Sequence, residues 1–304
     1  MSRFDWGDDP ATWLTEVADA AAAVGFGGLA LMDHLLQIPQ VGPVWEPMPD
    51  PFVALGLLAA GQRGLRLGTL VSPVSYRSAG LLAKAVATLD VLSGGRAFFG
   101  IGAGWWAREH AAFGLPFRPL PERLDELAAA IRTMRALWAP GTKPYRSADV
   151  QLPETTAYPR PVGPIPVVVG GSGERRTLRI AAELADACNL PSEPAVPDHK
   201  LAVLRAHCAD VGRDPDEVAV TVLDLPLVGR DRAEVAKRVE VLRGRTTAAA
   251  FARHHHAGRY GERHIGRYRT LADRGVSTVF VALPGLRDAA DVAVLGDVVQ
   301  SFRD

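Results

Sequence analysis

An α/β fold with a parallel sheet covered by helices is predicted by three features of the 304-residue chain. Short apolar runs recur near residues 30, 68, 98, 168, 188, 220 and 279. Segments of helical apolar spacing separate them, at roughly 25 to 45 residues per strand–helix unit. Several runs end in glycines or polar residues, which suits a sheet whose carboxyl edge binds ligands. Seven strands are one short of a closed eight-stranded barrel, and the pattern alone also allows an open doubly wound sheet.

The elements follow in order. Met1 to Pro10 is polar and turn-like. Ala11 to Val24 is a helix with Leu14, Val17, Ala18 and Ala21 on one face, ended by Gly25. Gly28 to Met32 is a strand with Asp33-His34 at its carboxyl end. Residues 35–51 are a proline-rich loop, long enough for a lid. Pro51 to Gly61 is a helix, Leu65 to Val71 a strand ending in Ser72-Pro73, and Ser78 to Leu92 a helix. Arg96 to Phe99 is a buried strand. Gly100, Gly102 and Gly104 follow at alternate positions, then Trp105-Trp106. Those glycines either admit a ligand to the backbone or ease a tight turn, and their spacing is not G-x-G-x-x-G.

Ala107 to Phe113 and Pro121 to Trp138 are helical. In the second, Leu124, Leu127, Ile131 and Met134 face in, and Arg123, Glu126 and Arg132 lie outward. Residues 140–166 are a long proline-rich connection, a length that suggests a cap over something. A strand from Pro166 to Val169 leads through Gly170-Gly171-Ser172-Gly173 into a helix, Glu174 to Leu184. Asp186 to Leu190 is a strand, His199 to Val211 a helix, Val218 to Leu223 a strand and Glu234 to Leu242 a helix. Residues 243–266 read as a polar insertion. Its His254-His255-His256 run does not converge on one tetrahedral ion, so no metal site is expected. A helix from Arg267 to Arg274, a strand from Val276 to Leu283 and a helix from Asp288 to Phe302 complete the chain. His110, His199, His207 and His264 fall in helical stretches and are expected at the surface.

Bulk composition narrows the function. The chain is 48% hydrophobic, and its 34 basic and 34 acidic residues cancel to a net charge of zero. There is no global basic field for nucleic acid or anionic membrane. Cys188 and Cys208 lack metal spacing and fit a reducing cytoplasm. No apolar run approaches a membrane span, and no signal-peptide pattern opens the chain. A single domain in the cytoplasm, acting on a small molecule, is the expectation.

Ordered blocks then bring in a family. They are A-A-V-G-F-G-G-L-A-L-M-D-H (22–34), L-R-L-G-T-L-V-S-P-V-S-Y-R (65–77), L-L-A-K-A-V-A-T-L-D-V-L-S-G-G-R (81–96), G-I-G-A-G-W (100–105), G-G-S-G-E-R-R-T-L (170–178) and A-D-A-C-N (185–189). With them the chain resembles the luciferase-like monooxygenase family, most closely its branch that uses the deazaflavin coenzyme F420. The resemblance implies a TIM-like (β/α)8 barrel with insertions, usually a homodimer. Family members begin with a strand before the stretch that corresponds to Phe4-Asp5-Trp6, so the first barrel strand is expected to be absent, with either a shortened chain start or an open barrel whose gap another segment or subunit covers.

The resemblance also assigns roles. Asp33 and His34 fall beside the reactive ring carbon, where a histidine donates a hydrogen bond or moves a proton; the alternative is a histidine that only ties down its loop. Leu70 and Val71 fall at a bulge with a non-prolyl cis peptide that props the ring. Gly170, Gly171, Ser172 and Gly173, with Arg175, Arg176 and Thr177, fall at the cofactor phosphate, where a glycine turn opening a helix offers N–H groups to an anion; the alternative is a bare turn with solvated arginines. Gly102, Ala103 and Gly104 would pass beside the cofactor. Trp105 replaces the glutamate that the sugar-phosphate dehydrogenases use as acid, which disfavours that activity. Trp105 and Trp106 either wall the substrate pocket or pack in the core. The expected activity is hydride transfer between F420 and a small organic substrate. The alternatives are an FMN-dependent monooxygenase using reduced flavin and oxygen, and a degenerate cofactor-binding protein without turnover.

Overall fold

The chain, described here from a computed structural model, begins with α1 (Pro10–Val24), β1 (Gly28–Leu31), α2 (Pro51–Gly61), β2 (Arg66–Pro73), α3 (Ala79–Ser93) and β3 (Ala97–Gly102). Then come α4 (Ala107–Ala112), α5 (Leu120–Trp138), the hairpin strands β4 (Tyr145–Arg146) and β5 (Gln151–Leu152), β6 (Val167–Gly170), α6 (Thr177–Leu184) and β7 (Ala187–Pro191). The last elements are α7 (Asp198–Asp210), β8 (Ala219–Asp224), α8 (Arg232–Arg243), α9 (Gly261–Asp273), β9 (Val276–Val281), α10 (Ala289–Ala293) and α11 (Gly296–Gln300). The structure describes residues 1–304 except 2, 5, 6, 62, 63, 192–197, 244–260 and 304. Asp5, Trp6 and the His254-His255-His256 run lie outside the described residues.

Among the described residues seven strands pair in parallel in the order β1-β2-β3-β6-β7-β8-β9. The sheet curls into a nearly closed barrel. Each strand sends one side chain to a common interior cluster: Ala30, Leu70, Phe98, Val168, Ala187, Ala219 and Phe280. Phe98 and Phe280 meet across it with ring centroids 5.9 Å apart. The first and last helices close the outer layer. Trp13 Nε1 donates to Arg287 O at 2.6 Å, and Gln300 Nε2 to Val24 O at 3.0 Å. Between β9 and the approach to β1 a cavity of about 260 Å³ remains, lined by Phe26, Gly27, Val279, Val281 and Phe302 among others. On the other edge of β1 the Met1 amino group donates to Ala30 O, and Met32 N–H donates to Met1 O at 3.2 Å.

Local chemistry explains the elements. Asp9 Oδ1 accepts from Thr12 N–H at the start of α1, and Gly25, at φ +100°, ends it in a left-handed cap. The three valines of β6 are buried on both faces, as a strand inside a helix-covered parallel sheet requires. Gly100 is fixed by close packing, since a Cβ there would lie 2.2 Å from Thr69 O.

Several expectations need correction. His110 and His264 are fully buried rather than on the surface; His199 is exposed and His207 intermediate. Arg123 turns inward, because its Nε and Nη1 donate to the carbonyls of Arg118, Ala103 and Gly104 that end the loops after β3. The connection 140–166 holds the β4–β5 hairpin. Glu174 to Arg176 belong to the turn, and α6 begins at Thr177. The last helix is two short ones, broken around Val294 and Leu295. Gly261 to Gly266, expected in a polar insertion, open α9.

Candidate active site

The carboxyl ends of β1, β2, β3 and β6 bring most of the expected residues together. β1 delivers Asp33 and His34. Arg77, from the loop after β2, donates to Asp33 Oδ2 and to Asp50 Oδ2, both at 2.6 Å. Burial pushes the Asp33 carboxyl up in pKa against the pull of Arg77. Asp50 also accepts from Phe52 and Val53 N–H at the start of α2, so Arg77 ties the end of loop 35–51 to the barrel mouth.

His34 has a partner that the sequence reading missed. Glu109, on α4, places both carboxylate oxygens 3.0 Å from His34 Nδ1, and its Oε2 accepts from Leu35 N–H at 3.1 Å. Burial alone pushes the Glu109 carboxyl up, but the hydrogen bond and charge of His34 and the Leu35 N–H outweigh it and hold the group below its usual range. An ionised carboxylate only accepts, so Nδ1 carries the proton. Nε2 has no hydrogen-bond partner among the described residues and is not sealed from solvent. Burial and the neighbouring Glu109 carboxylate push the Tyr76 hydroxyl up, so it stays protonated. The one available signal for Glu109 was its place five residues beyond Gly104, in the helix that the glycine run opens.

The Leu70–Val71 peptide is cis, and the β2–β3 register slips between Thr69 and Ser72, so a bulge stands where the resemblance places one. Leu70 enters the barrel interior. Val71 fills the space that three glycines leave open. A Cβ on Gly100, Gly102 or Gly170 would come within 3.1, 2.9 and 2.7 Å of its methyl groups. Gly102 and Gly170 therefore have a packing reason of their own, and β2, β3 and β6 meet at one side chain. Gly104 adopts φ +73° and turns the chain toward Trp105. Trp105 is 52% exposed and Trp106 is intermediate, so neither is core. Their rings stack at 5.8 Å and 17°, and His34 lies edge-on at 5.8 and 6.4 Å from them. Buried His110 supports this loop: its Nδ1–H donates to Trp106 O at 2.9 Å, and its Nε2 accepts from Ser75 Oγ at 2.7 Å.

The turn after β6 divides its duties. Gly171 reaches φ +134°, and its N–H is taken by Asn189 O at 3.1 Å. The N–H groups of Ser172 and Gly173 have no partner among the described residues. Thr177 Oγ1 folds back to within 2.8 Å of where a Gly173 Cβ would stand. Two N–H groups and a hydroxyl thus lie at the start of α6, an arrangement chemically able to take an anion. Lys200, from α7, donates to Ser172 O at 2.9 Å and pairs with Glu174, while His207 Nε2 donates to Glu174 O at 2.7 Å. Arg176 turns away to Asp125 and Pro121 O; Arg175 is exposed. No cluster of His, Cys, Asp or Glu among the described residues is arranged for a metal, and no helix among them is long and apolar enough to cross a membrane.

This barrel and its loop ends define a class. The family model for luciferase-like monooxygenases matches residues 6–281, and the chain belongs to that family. An uncharacterized protein of Mycobacterium tuberculosis is 35% identical over 58% of this chain and 63% of its own length. An F420-dependent glucose-6-phosphate dehydrogenase of Microbacterium testaceum is 31% identical over 65% of this chain and 59% of its own. The chain thus spans about three-fifths of the length of these curated relatives. Among solved structures, an F420-dependent secondary alcohol dehydrogenase in complex with an F420–acetone adduct superposes with a TM-score of 0.79 at 16% identity, over 96% of this chain and 94% of that one. A type II Baeyer–Villiger monooxygenase component from Pseudomonas putida, in complex with FMN, gives 0.71 at 14% identity, over 97% and 92%. At such identities the likeness is one of fold.

Proposed function

We propose that this protein is an oxidoreductase that binds F420 across the carboxyl ends of β1, β2, β3 and β6 and transfers hydride between it and a small organic molecule. The observation that carries the reading is the convergence at one barrel mouth of the Leu70–Val71 bulge, the His34–Glu109 pair and an anion cradle with two free N–H groups. The F420-dependent names among its sequence relatives support this cofactor over FMN. The cofactor supplies the hydride chemistry.

In this reading the chain positions and protonates. Ser172 and Gly173 N–H hold the phosphate, Thr177 Oγ1 sits beside them, and Lys200 braces the turn from below. The bulge at Leu70 and Val71 forms the floor under the ring, and Gly102, Ala103 and Gly104 flank it. Glu109 orients His34, so that Nε2 faces the reacting atom and moves or shares its proton. Asp33 and Arg77 keep the β1 end and the loop end in place. Trp105 and Trp106 wall the substrate side and exclude water. A tryptophan gives no proton, so Trp105 leaves a sugar-phosphate dehydrogenase activity disfavoured.

The protein is further proposed to be a homodimer. α2 is apolar around its whole circumference, yet Val53 is 76% and Leu57 43% exposed, and Leu81 on the adjoining α3 is 68% exposed. A helix of that composition is normally buried.

Side-by-side fluorescence titration with F420 and FMN tests the cofactor. F420 is expected to bind more tightly. Tighter FMN binding would turn the assignment to a reduced-flavin monooxygenase, and tight F420 binding without turnover on any substrate would leave a carrier.

A further inference from the structure

The mouth beside His34 sorts substrates by charge and shape, an inference that rests on the reading of this site as the reaction centre. Trp105 presents about half its surface to solvent, stacked on Trp106 and braced by the edge of His34. Such a platform favours a flat apolar body. His34 Nε2, unpartnered and open, supplies one polar contact at its border.

Charge narrows the class. Two bonded groups stand at the end of β1: His34 with Glu109, and Arg77 with Asp33 and Asp50, three carboxylates against one guanidinium and one imidazole. With Asp33 and His34 both protonated each group is neutral. In every other protonation state of these two residues at least one group is negative and neither is positive. Arg123, the buried cation behind the glycine run, directs Nε and Nη1 at carbonyl oxygens and lies over the Phe117 ring at 4.1 Å. Arg108 is on the exposed side of α4, while Glu109 is on its buried side. An anionic group brought to Nε2 would lose hydration and meet no compensating charge from this cluster.

We propose that the substrate is an uncharged planar molecule, an aromatic or conjugated alcohol or carbonyl compound, that lies on Trp105 with its oxygen hydrogen-bonded to His34 Nε2. Phosphorylated and carboxylated substrates are rejected by the same cluster that orients His34.

The test uses 2-naphthol, 2-naphthyl phosphate and naphthalene-2-sulfonate as probes, with ligand-observed NMR on the protein with and without F420. 2-Naphthol is expected to bind about tenfold more tightly than either anion. Trp105→Ala should weaken 2-naphthol by a similar factor while F420 affinity holds, and Glu109→Gln should narrow the gap between neutral and anionic probes. Anions that bind as well as 2-naphthol overturn the proposal; if Arg108→Ala then abolishes their binding, Arg108 supplies the countercharge. Absence of 2-naphthol binding at millimolar concentration, or loss of F420 affinity in Trp105→Ala, overturns it too. Trp105-dependent 2-naphthol binding in a protein that binds no F420 would sink the cofactor reading and leave this one standing.

Discussion

His34 takes its orientation from Glu109, and the two residues carry separable predictions. His34→Ala should fold and bind F420, because the proposed phosphate site lies apart from it, at the turn after β6. Its rate of hydride exchange at the deazaflavin C5 should fall by about 10²–10⁴-fold, the usual scale of acid–base contributions. Unchanged exchange would remove His34 from the mechanism. Glu109→Gln leaves a neutral group where His34 Nδ1–H and Leu35 N–H both expect an acceptor, so it should cost about 1–3 kcal/mol of stability near neutral pH. The sign of the pH effect follows from the depressed Glu109 pKa. The carboxylate's stabilisation is fully present above the ordinary glutamate value and is lost as pH falls through the depressed one. The gap in urea midpoint between wild type and Glu109→Gln should therefore be open at about pH 7 and close only as pH falls below the ordinary glutamate value, about pH 4. A gap that stays constant through the carboxylate range, or widens on acidification, would show that folding does not depress the Glu109 pKa.

At the scale of elements, the turn between β6 and α6 and the β2–β3 pair respond differently to one added carbon. In Gly173→Ala the new Cβ meets Thr177 Oγ1 at 2.8 Å. The cradle should distort and F420 affinity should drop by about 1–2 kcal/mol, with the melting temperature nearly unchanged. Titration that finds equal affinity would place the phosphate elsewhere. In Gly100→Ala the Cβ meets backbone, Thr69 O at 2.2 Å, and neither strand can yield. That variant should lose about 3 kcal/mol or more, or fail to fold. Circular-dichroism melting separates the two outcomes, and a Gly100→Ala protein as stable as wild type would contradict the packing described for β2 and β3. These contrasts also show what the sequence made legible. The glycines of 100–104 and 170–173 marked strand ends, and the strand ends did meet. That Gly102 and Gly170 accommodate Val71, and that Gly171 N–H belongs to Asn189, depends on strands neighbouring in space and not in sequence.

The whole molecule exposes an apolar face on α2 and α3 that the barrel itself does not cover. A second copy is the proposed cover, and a Val53→Asp, Leu57→Arg double variant should shift sedimentation from dimer to monomer without changing the far-ultraviolet spectrum. A wild-type protein that sediments as a monomer at micromolar concentration would refute the dimer.

The sequence by itself determined the α/β class, the order of strands and helices, and the loops that reach the barrel mouth. Hydrophobic period and glycine punctuation are local properties, and they read directly as strand, turn and helix. The ordered blocks also carried the family. Only the tertiary structure decided which side chains face one another. Glu109 lies 75 positions from His34 in the chain, and apart from its place after the glycine run nothing local distinguishes it from a solvated helix residue. Arg123 and His110 looked like surface residues by type, yet they are buried because carbonyls and a serine hydroxyl there need hydrogen-bond partners. Barrel closure was likewise undecided by pattern. Parallel strands and covering helices have the same periodicity in an open sheet and in a barrel, and the difference rests on one interior cluster that draws a side chain from all seven strands.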